Sequence, residues 1–257
     1  MDLNRWIRAE GPVFLLAVQF LTRLPVRVDF SPDRLEATPR WYPGVGVLIG
    51  AMVAGVWWAS SLLFPPLVAA VVCTAASVLI TGAFHEDGFA DACDGLGGGQ
   101  TRERVLEIMR DSRLGTYGTL GLGLMLGGKI AVLAALPPAV VPMVLVAGHA
   151  ASRASAVWVI ASSSYLRDHG TGKPVANGID AGGLTVIGWT LGVVTLALML
   201  VVPVWAVLTG ALGLVAGHVA MRRRFEPRLG GYTGDCLGAV QQCSEIGFLL
   251  GVLAVMG

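Results

Sequence analysis

Residues 85–95 read HEDGFADACDG, the densest run of reactive side chains in the chain. Asp87, Asp91 and Asp94 stand at offsets of four and then three residues. On a helix those offsets put three carboxylates on one narrow face. Two such charges about 4 Å apart repel by roughly 4 kcal/mol at an effective dielectric near 20. A chain that keeps them together holds a compensating cation, and carboxylate oxygens suit hard ions such as Mg²⁺ or Mn²⁺. Glu86 extends the predicted ligand set to Glu86, Asp87, Asp91 and Asp94. Gly88 and Gly95 allow a ligand close to the backbone. The plainer alternative is a solvated acidic helix face. Acids are scarce in this chain, however, and this cluster directly follows an apolar run.

Two further stretches carry chemistry. MRDSRLGTYG, residues 109–118, supplies Arg110 and Arg113. Guanidinium forks match phosphate oxygens in pairs, so these arginines beside a carboxylate-bound ion suit a di- or triphosphate. Asp111 is better placed to orient an arginine than to bind metal. LGGYTGDCLGAVQQCSE, residues 229–245, offers the loop glycine Gly231, the hydroxyl of Thr233 and the carboxylate of Asp235. Its backbone N–H groups resemble an anion-binding nest in kind, but the pattern is weak and a plain turn is the better reading of it alone; Asp235 could join the metal shell from another helix. Ionisable residues also fall inside apolar runs: Lys129, His149, Arg153, His218 and Glu245. Such groups are costly in lipid and face a polar cavity or one another. Lys129 and Arg153 are therefore candidates for anionic-substrate contacts. The chain has no GxxxxGK[ST] loop, GxSxG elbow or HExxH helix.

These residues need a frame, and composition names it. Of 257 residues, 54% are hydrophobic and 14% charged, with mean hydropathy +0.70. That is the composition of a polytopic membrane protein. A net charge of +1 gives no field for nucleic acid. The four cysteines form no CxxC pair, so neither a zinc site nor a disulfide framework is indicated. Apolar runs lie at about 42–63, 67–84, 118–136, 139–162, 184–202, 204–221 and 237–256, each near the ~20 residues a bilayer requires. The expected fold is all-α: about seven transmembrane helices, as three hairpins plus a C-terminal helix, with an interfacial segment over residues 1–40. The whole chain, 1–257, reads as one domain. Tight turns at Pro65–Pro66, Pro137–Pro138 and Pro203 carry no Lys or Arg. The segments 1–40, 85–117, 164–183 and 222–236 carry nearly all of them, so the positive-inside rule puts those segments in the cytoplasm. The catalytic segment 85–117 then faces the cytoplasm and the C-terminus faces outward. Small residues on several spans would allow helix-mediated homo-oligomers.

FHEDGFADACDGLGG, MRDSRLGTYG and GGYTGDCLGAVQQ, in this order and spacing, resemble the cobalamin-5'-phosphate synthase family, the adenosylcobinamide-GDP ribazoletransferases. The resemblance covers essentially the whole chain. It implies a Mg²⁺-dependent enzyme of the bacterial inner membrane that assembles the lower nucleotide loop of vitamin B12. Adenosylcobinamide-GDP and α-ribazole, or α-ribazole 5'-phosphate, would give adenosylcobalamin, or its 5'-phosphate, and GMP. Asp87, Asp91 and Asp94, with Glu86, would hold one or two Mg²⁺ on the pyrophosphate. Asp94, or else His85, would take the proton of the attacking hydroxyl. Arg110, Arg113 and Lys129 would offset phosphate charge. Three rival readings remain at this point. A CDP-alcohol phosphotransferase has a longer, arginine-containing aspartate pattern. An ion-coupled transporter would use Lys129, Arg153 and Glu245 but would place its site at the midplane. A non-catalytic scaffold would not need clustered carboxylates.

Overall fold

The computed structural model describes residues 3–167, 173–176 and 178–257, with backbone alone for residues 3–7. Residues 168–172 and 177 of the predicted 164–183 segment therefore lie outside the described residues. The chain is helical: α1 Leu3–Leu21, α2 Pro32–Ala37, α3 Tyr42–Ser61, α4 Pro66–Thr81, α5 Phe84–Gly98, α6 Arg102–Ile108, α7 Thr116–Ala135, α8 Val141–Ser162, α9 Ala181–Met199, α10 Val204–Leu229 and α11 Gly234–Met256. Among the described residues there is no strand, only an isolated bridge between Tyr165 and Tyr232. Six helices are long and apolar enough to cross a membrane, or seven spans if the bent pair α4–α5 counts as one. This is the expected multi-pass helical bundle. The predicted runs and observed helices agree to a few residues, except that α10 continues as helix through Met221–Arg224 and Pro227 to Leu229.

The long connections meet at one end of the bundle. Arg40, at the start of α3, pairs with Glu10 of α1 at 3.2 Å and with Asp180 before α9 at 3.3 Å. Arg222 of α10 donates to the Ser162 hydroxyl at the end of α8, 2.8 Å away. Arg228 donates to the carbonyls of Leu96 and Gly99, both at 2.6 Å, and satisfies the last turn of α5. Leu166 and Tyr232 exchange backbone bonds with each other's strand-like segment. At the other end, Trp57 Nε1 near the end of α3 donates to the Pro138 carbonyl at 3.3 Å, tying two proline turns together. The sorting of charged segments from proline turns is thus a physical division of the molecule.

The expected acidic loop 85–117 is instead two helices and a short link. After Thr81 the chain takes two left-handed residues, Gly82 (φ 67°) and Ala83 (φ 61°). They turn α5 by 91° from α4. Gly82 is needed twice over there: its φ favours glycine, and a Cβ would strike the Arg23 side chain. The bend takes α5, with its four acids, out of the direction of the spans and across the charged end of the bundle.

Spans pack through small residues. Gly213 of α10 meets Gly247 of α11 backbone to backbone, and Gly217 lies against Cys243. Gly46 and Gly50 of α3 lie against His149–Ala150 and Val146 of α8 in the same way. Without a hydrophobic drive between helices in lipid, such close approach supplies the attraction. Inside the bundle lies a polar network. Lys129 Nζ pairs with Glu245 Oε1 at 2.9 Å. Gln241 bridges Glu245 and Ser152, and Gln242 donates to Glu86 Oε1 at 3.0 Å. Arg153 donates to the His149 carbonyl at 3.0 Å. His218 contacts Ser155 Oγ at 2.8 Å.

Two outcomes test this packing. Lys129→Met strands the Glu245 carboxylate and should destabilise the protein by about 3–5 kcal/mol. Adding Glu245→Gln should restore part of that in thermal unfolding in detergent, and an additive double variant would contradict a specific pair. Gly217→Leu should lower the thermal midpoint sharply, whereas Gly188→Leu, where a Cβ meets open space, should leave it near the wild-type value.

Candidate active site

The site forms where α5 crosses the N-terminal end of α11. A Cβ on Gly88 would stand 3.0 Å from the Asp235 Cα, and one on Gly238 would stand 2.9 Å from the His85 carbonyl. Bare backbone at these crossings lets the helices touch. Asp235 is thereby brought beside Asp87 and Asp91, which follow one another by a helical turn on α5. Asp87 is exposed and Asp91 half-buried. Neither accepts a hydrogen bond from a described residue. Burial, then the neighbouring charges of Asp235 and Asp87, push the Asp91 carboxyl up to about 7. Asp235, predicted as a substrate contact, is therefore a member of the acidic cluster itself. Thr233, buried at the N-cap of α11, donates to Asp235 Oδ2 at 3.2 Å and fixes that carboxylate.

Asp94 shares the helix face of Asp87 and Asp91 but does a different job. Its Oδ2 accepts from the Gly115 N–H at 2.7 Å and its Oδ1 from the Gly118 N–H at 2.8 Å. Both oxygens thus serve the unsatisfied donors at the start of α7, where an anion also complements the helix dipole. Asp94, expected as metal ligand and proton acceptor, thus has both oxygens engaged by α7, unlike Asp87 and Asp91. Glu86, expected as a metal ligand, points elsewhere than Asp87. One residue along the helix turns it about 100° from Asp87, into the bundle, where it is 6% exposed and bonded to Gln242. His85 is 5% exposed, with its ring edge-on to Phe84 at 5.4 Å, and points away from the acidic face. It lines a small interior cavity of about 50 Å³ with Tyr42 and Arg153 rather than facing an acceptor.

The predicted cations separate into two groups. Lys129 and Arg153 lie in the interior network: Lys129 pairs with Glu245, ten residues or about 15 Å along α11 from Asp235, and Arg153 donates to His149. Both, expected as substrate contacts, face Glu245 and His149 in the interior and not the acidic cluster. Arg110 and Arg113 lie on the exposed link between α6 and α7. Arg113 grips Asp111 with Nε at 3.0 Å and Nη2 at 2.6 Å and holds that carboxyl down to about 2. Gly231 packs its α-carbon against the Ser164 carbonyl, and the N–H groups of Gly230 and Tyr232 are spent on Glu226 and Ser164. The predicted anion nest there is a packing turn.

The sequence reading missed two residues. Arg228 closes the end of α5. Arg167 pairs with Asp235 at 2.6 Å and enters the acidic cluster from the segment after α8. No local pattern marks either; both act through contacts more than 60 residues away in sequence.

Comparison with known proteins agrees with this geometry. The chain matches the family described as cobalamin-5-phosphate synthase over residues 13–253. A protein of Leptothrix cholodnii named adenosylcobinamide-GDP ribazoletransferase is 42% identical over 253 residues, covering 95% of this chain and 96% of the relative. Proteins of the same name from Shewanella frigidimarina and Vibrio parahaemolyticus are 41% and 40% identical, covering 98% and 96% of this chain and 97% and 94% of their own. No solved structure matches. A family match over residues 13–253, with relatives about 40% identical over nearly the full length, means that this chain belongs to the cobalamin-5-phosphate synthase family.

Proposed function

We propose that this chain transfers the adenosylcobinamide-phosphate group from adenosylcobinamide-GDP to α-ribazole or α-ribazole 5'-phosphate and releases GMP. The observation that carries this reading is the convergence of Asp87, Asp91 and Asp235 from two helices, with Arg167 beside them, at the charged end of the bundle. By the positive-inside rule that end faces the cytoplasm of the bacterial inner membrane, where nucleotide substrates are made. The flanks of α9 and α10 expose Trp189, Leu196, Trp205 and Leu212, an apolar surface suited to lipid. The same flanks supply the surface on which homo-oligomers would pair.

Mg²⁺, or Mn²⁺, fits this donor set. Among the described residues no three His, Cys, Asp or Glu side chains form a ready-made cage. Mg²⁺ does not need one: it keeps several waters and uses one or two carboxylates plus substrate phosphates. Asp87 and Asp91, whose oxygens have no other partner among the described residues, are the residues that would hold it, with Asp235 adjacent. The ion would supply charge neutralisation on the phosphoryl group. In the reaction, a ribose hydroxyl of the ribazole forms a new P–O bond to the phosphate carried by cobinamide. The P–O bond to GMP breaks, GMP leaves with the electron pair, and the hydroxyl proton passes to a carboxylate of the cluster, which we assign to Asp91. Arg110, on the exposed link, is free to approach the phosphates.

Membranes carrying Asp91→Asn, given adenosylcobinamide-GDP, α-ribazole and Mg²⁺, should release GMP at least about 100-fold more slowly than wild type, with an unchanged thermal midpoint. Undiminished turnover would refute the assignment. Asp94→Asn should act in the opposite sense: its amide faces two N–H donors, so stability should fall by about 1–3 kcal/mol. A loss of turnover in Asp94→Asn with no loss of stability would instead return Asp94 to the chemistry.

A further inference from the structure

Arg167 is held unusually well for a residue just past the end of a span. Leu166 N donates to the Tyr232 carbonyl at 3.0 Å, and Tyr232 N donates to the Ser164 carbonyl at 2.9 Å. The Tyr165 and Tyr232 rings pack edge-on at 5.4 Å, and Gly231 leaves no gap against Ser164. The backbone that precedes Arg167 is therefore clamped to the turn that starts α11. From this mount the guanidinium reaches Asp235 Oδ2 through Nη2 at 2.6 Å and, weakly, the Met109 carbonyl at 3.5 Å. Both contacts use the same nitrogen. Nε is shielded from solvent and has no acceptor. A buried donor with no protein partner is a standing cost that a water, an ion or a ligand oxygen can relieve, and beside the acidic cluster a phosphate oxygen is well suited to it. The guanidinium is also the cation whose charge acts on Asp91 amid Asp235, Asp87 and Asp94.

We propose that Arg167 is a substrate-binding residue whose free Nε–H and neighbouring donors hold the phosphoryl oxygens of a nucleoside-diphosphate ester, while Asp235 and the clamped turn keep the fork aimed at the acidic cluster. This deepens the transferase reading and rests on it for the identity of the ester. The chemistry selects the ligand. A guanidinium fork matches two oxygens of one phosphate. Bound beside Asp87 and Asp91, the same phosphate is shared between Arg167 and the cation those carboxylates hold. The assignment also separates three arginines by role. Arg113 is committed to Asp111 and Arg228 to the end of α5, whereas Arg167 alone of the three retains a shielded, unused donor.

The test compares wild type, Arg167→Lys and Arg167→Gln as purified full-length protein in nanodiscs. Two readouts are taken: equilibrium binding of GDP without divalent ion, and KM values for adenosylcobinamide-GDP and for α-ribazole with Mg²⁺. Arg167→Lys keeps the charge beside Asp235 but loses the fork. It should weaken GDP binding and raise the KM for adenosylcobinamide-GDP by about ten- to a hundredfold. The KM for α-ribazole should stay within about twofold, and the thermal midpoint should hold. Arg167→Gln should weaken GDP binding at least as much. The proposal is overturned if wild type does not bind GDP, if Arg167→Lys binds it as wild type does, or if both KM values rise together with a lower midpoint, which marks a structural tie. GDP binding that depends on Arg167 in a wild-type protein that releases no GMP would support the phosphate site and sink the transferase reading alone.

Discussion

A charge costs far more in the apolar layer than at its edge, and that one constraint sorts this chain's 18 basic and 17 acidic residues. Three solutions are used. Most charges stay on the connections at one end of the bundle, where water solvates them. Lys129 and Glu245 go inside as a pair, supported by Gln241 and with His149 and Arg153 nearby. The acids of α5 can take neither course with the helix running along α4, because Asp87 and Asp91 would then point into lipid or into the core without a partner. The 91° bend at Gly82–Ala83 is the third solution. It keeps an acidic helix attached to a span while laying it across the aqueous end.

Once α5 lies crosswise, its faces divide the chemistry. Residues one position apart on a helix differ by about 100° in direction, so Glu86 and Asp87 cannot serve the same site. Glu86 reaches Gln242 and joins the interior network, whereas Asp87 and Asp91 look outward. Asp94, three residues beyond Asp91, meets the start of α7 and holds two of its N–H groups. One 15-residue helix thus ties to α11 below, anchors α7 at its end, and leaves the middle carboxylates uncommitted. Arg228 completes it by binding the carbonyls of its last turn.

The frame was legible in the sequence because it rests on local quantities. Apolar length sets the spans, proline pairs set the turns, and charge bias sets the sides. The acidic spacing around Asp87 and Asp91 was legible for the same reason, as a helical period in one short run. What escaped depends on which distant segment arrives. Asp94 resembles its neighbours until Gly115 and Gly118 occupy it. Lys129 and Arg153 look like substrate contacts until Glu245 and His149 are placed beside them. Arg167 stands in no motif and gains meaning only through Asp235, 68 residues on.

Uncommitted carboxylates crowded by like charge are a poor way to stabilise a fold and a good way to bind a cation together with a polyanion. The protein takes on this repulsion beside two capped helix ends: Asp94 holds two N–H groups at the start of α7, and Arg228 binds carbonyls at the end of α5. Arg167 offsets part of it through Asp235 but is held so that one donor remains free. A site built for stability alone would have spent that donor on Asp91 as well. Leaving the carboxylates and the guanidinium side by side yet incompletely paired gives each something left to offer a phosphate and its metal ion, and the surrounding rigidity keeps them from collapsing onto one another before that substrate arrives.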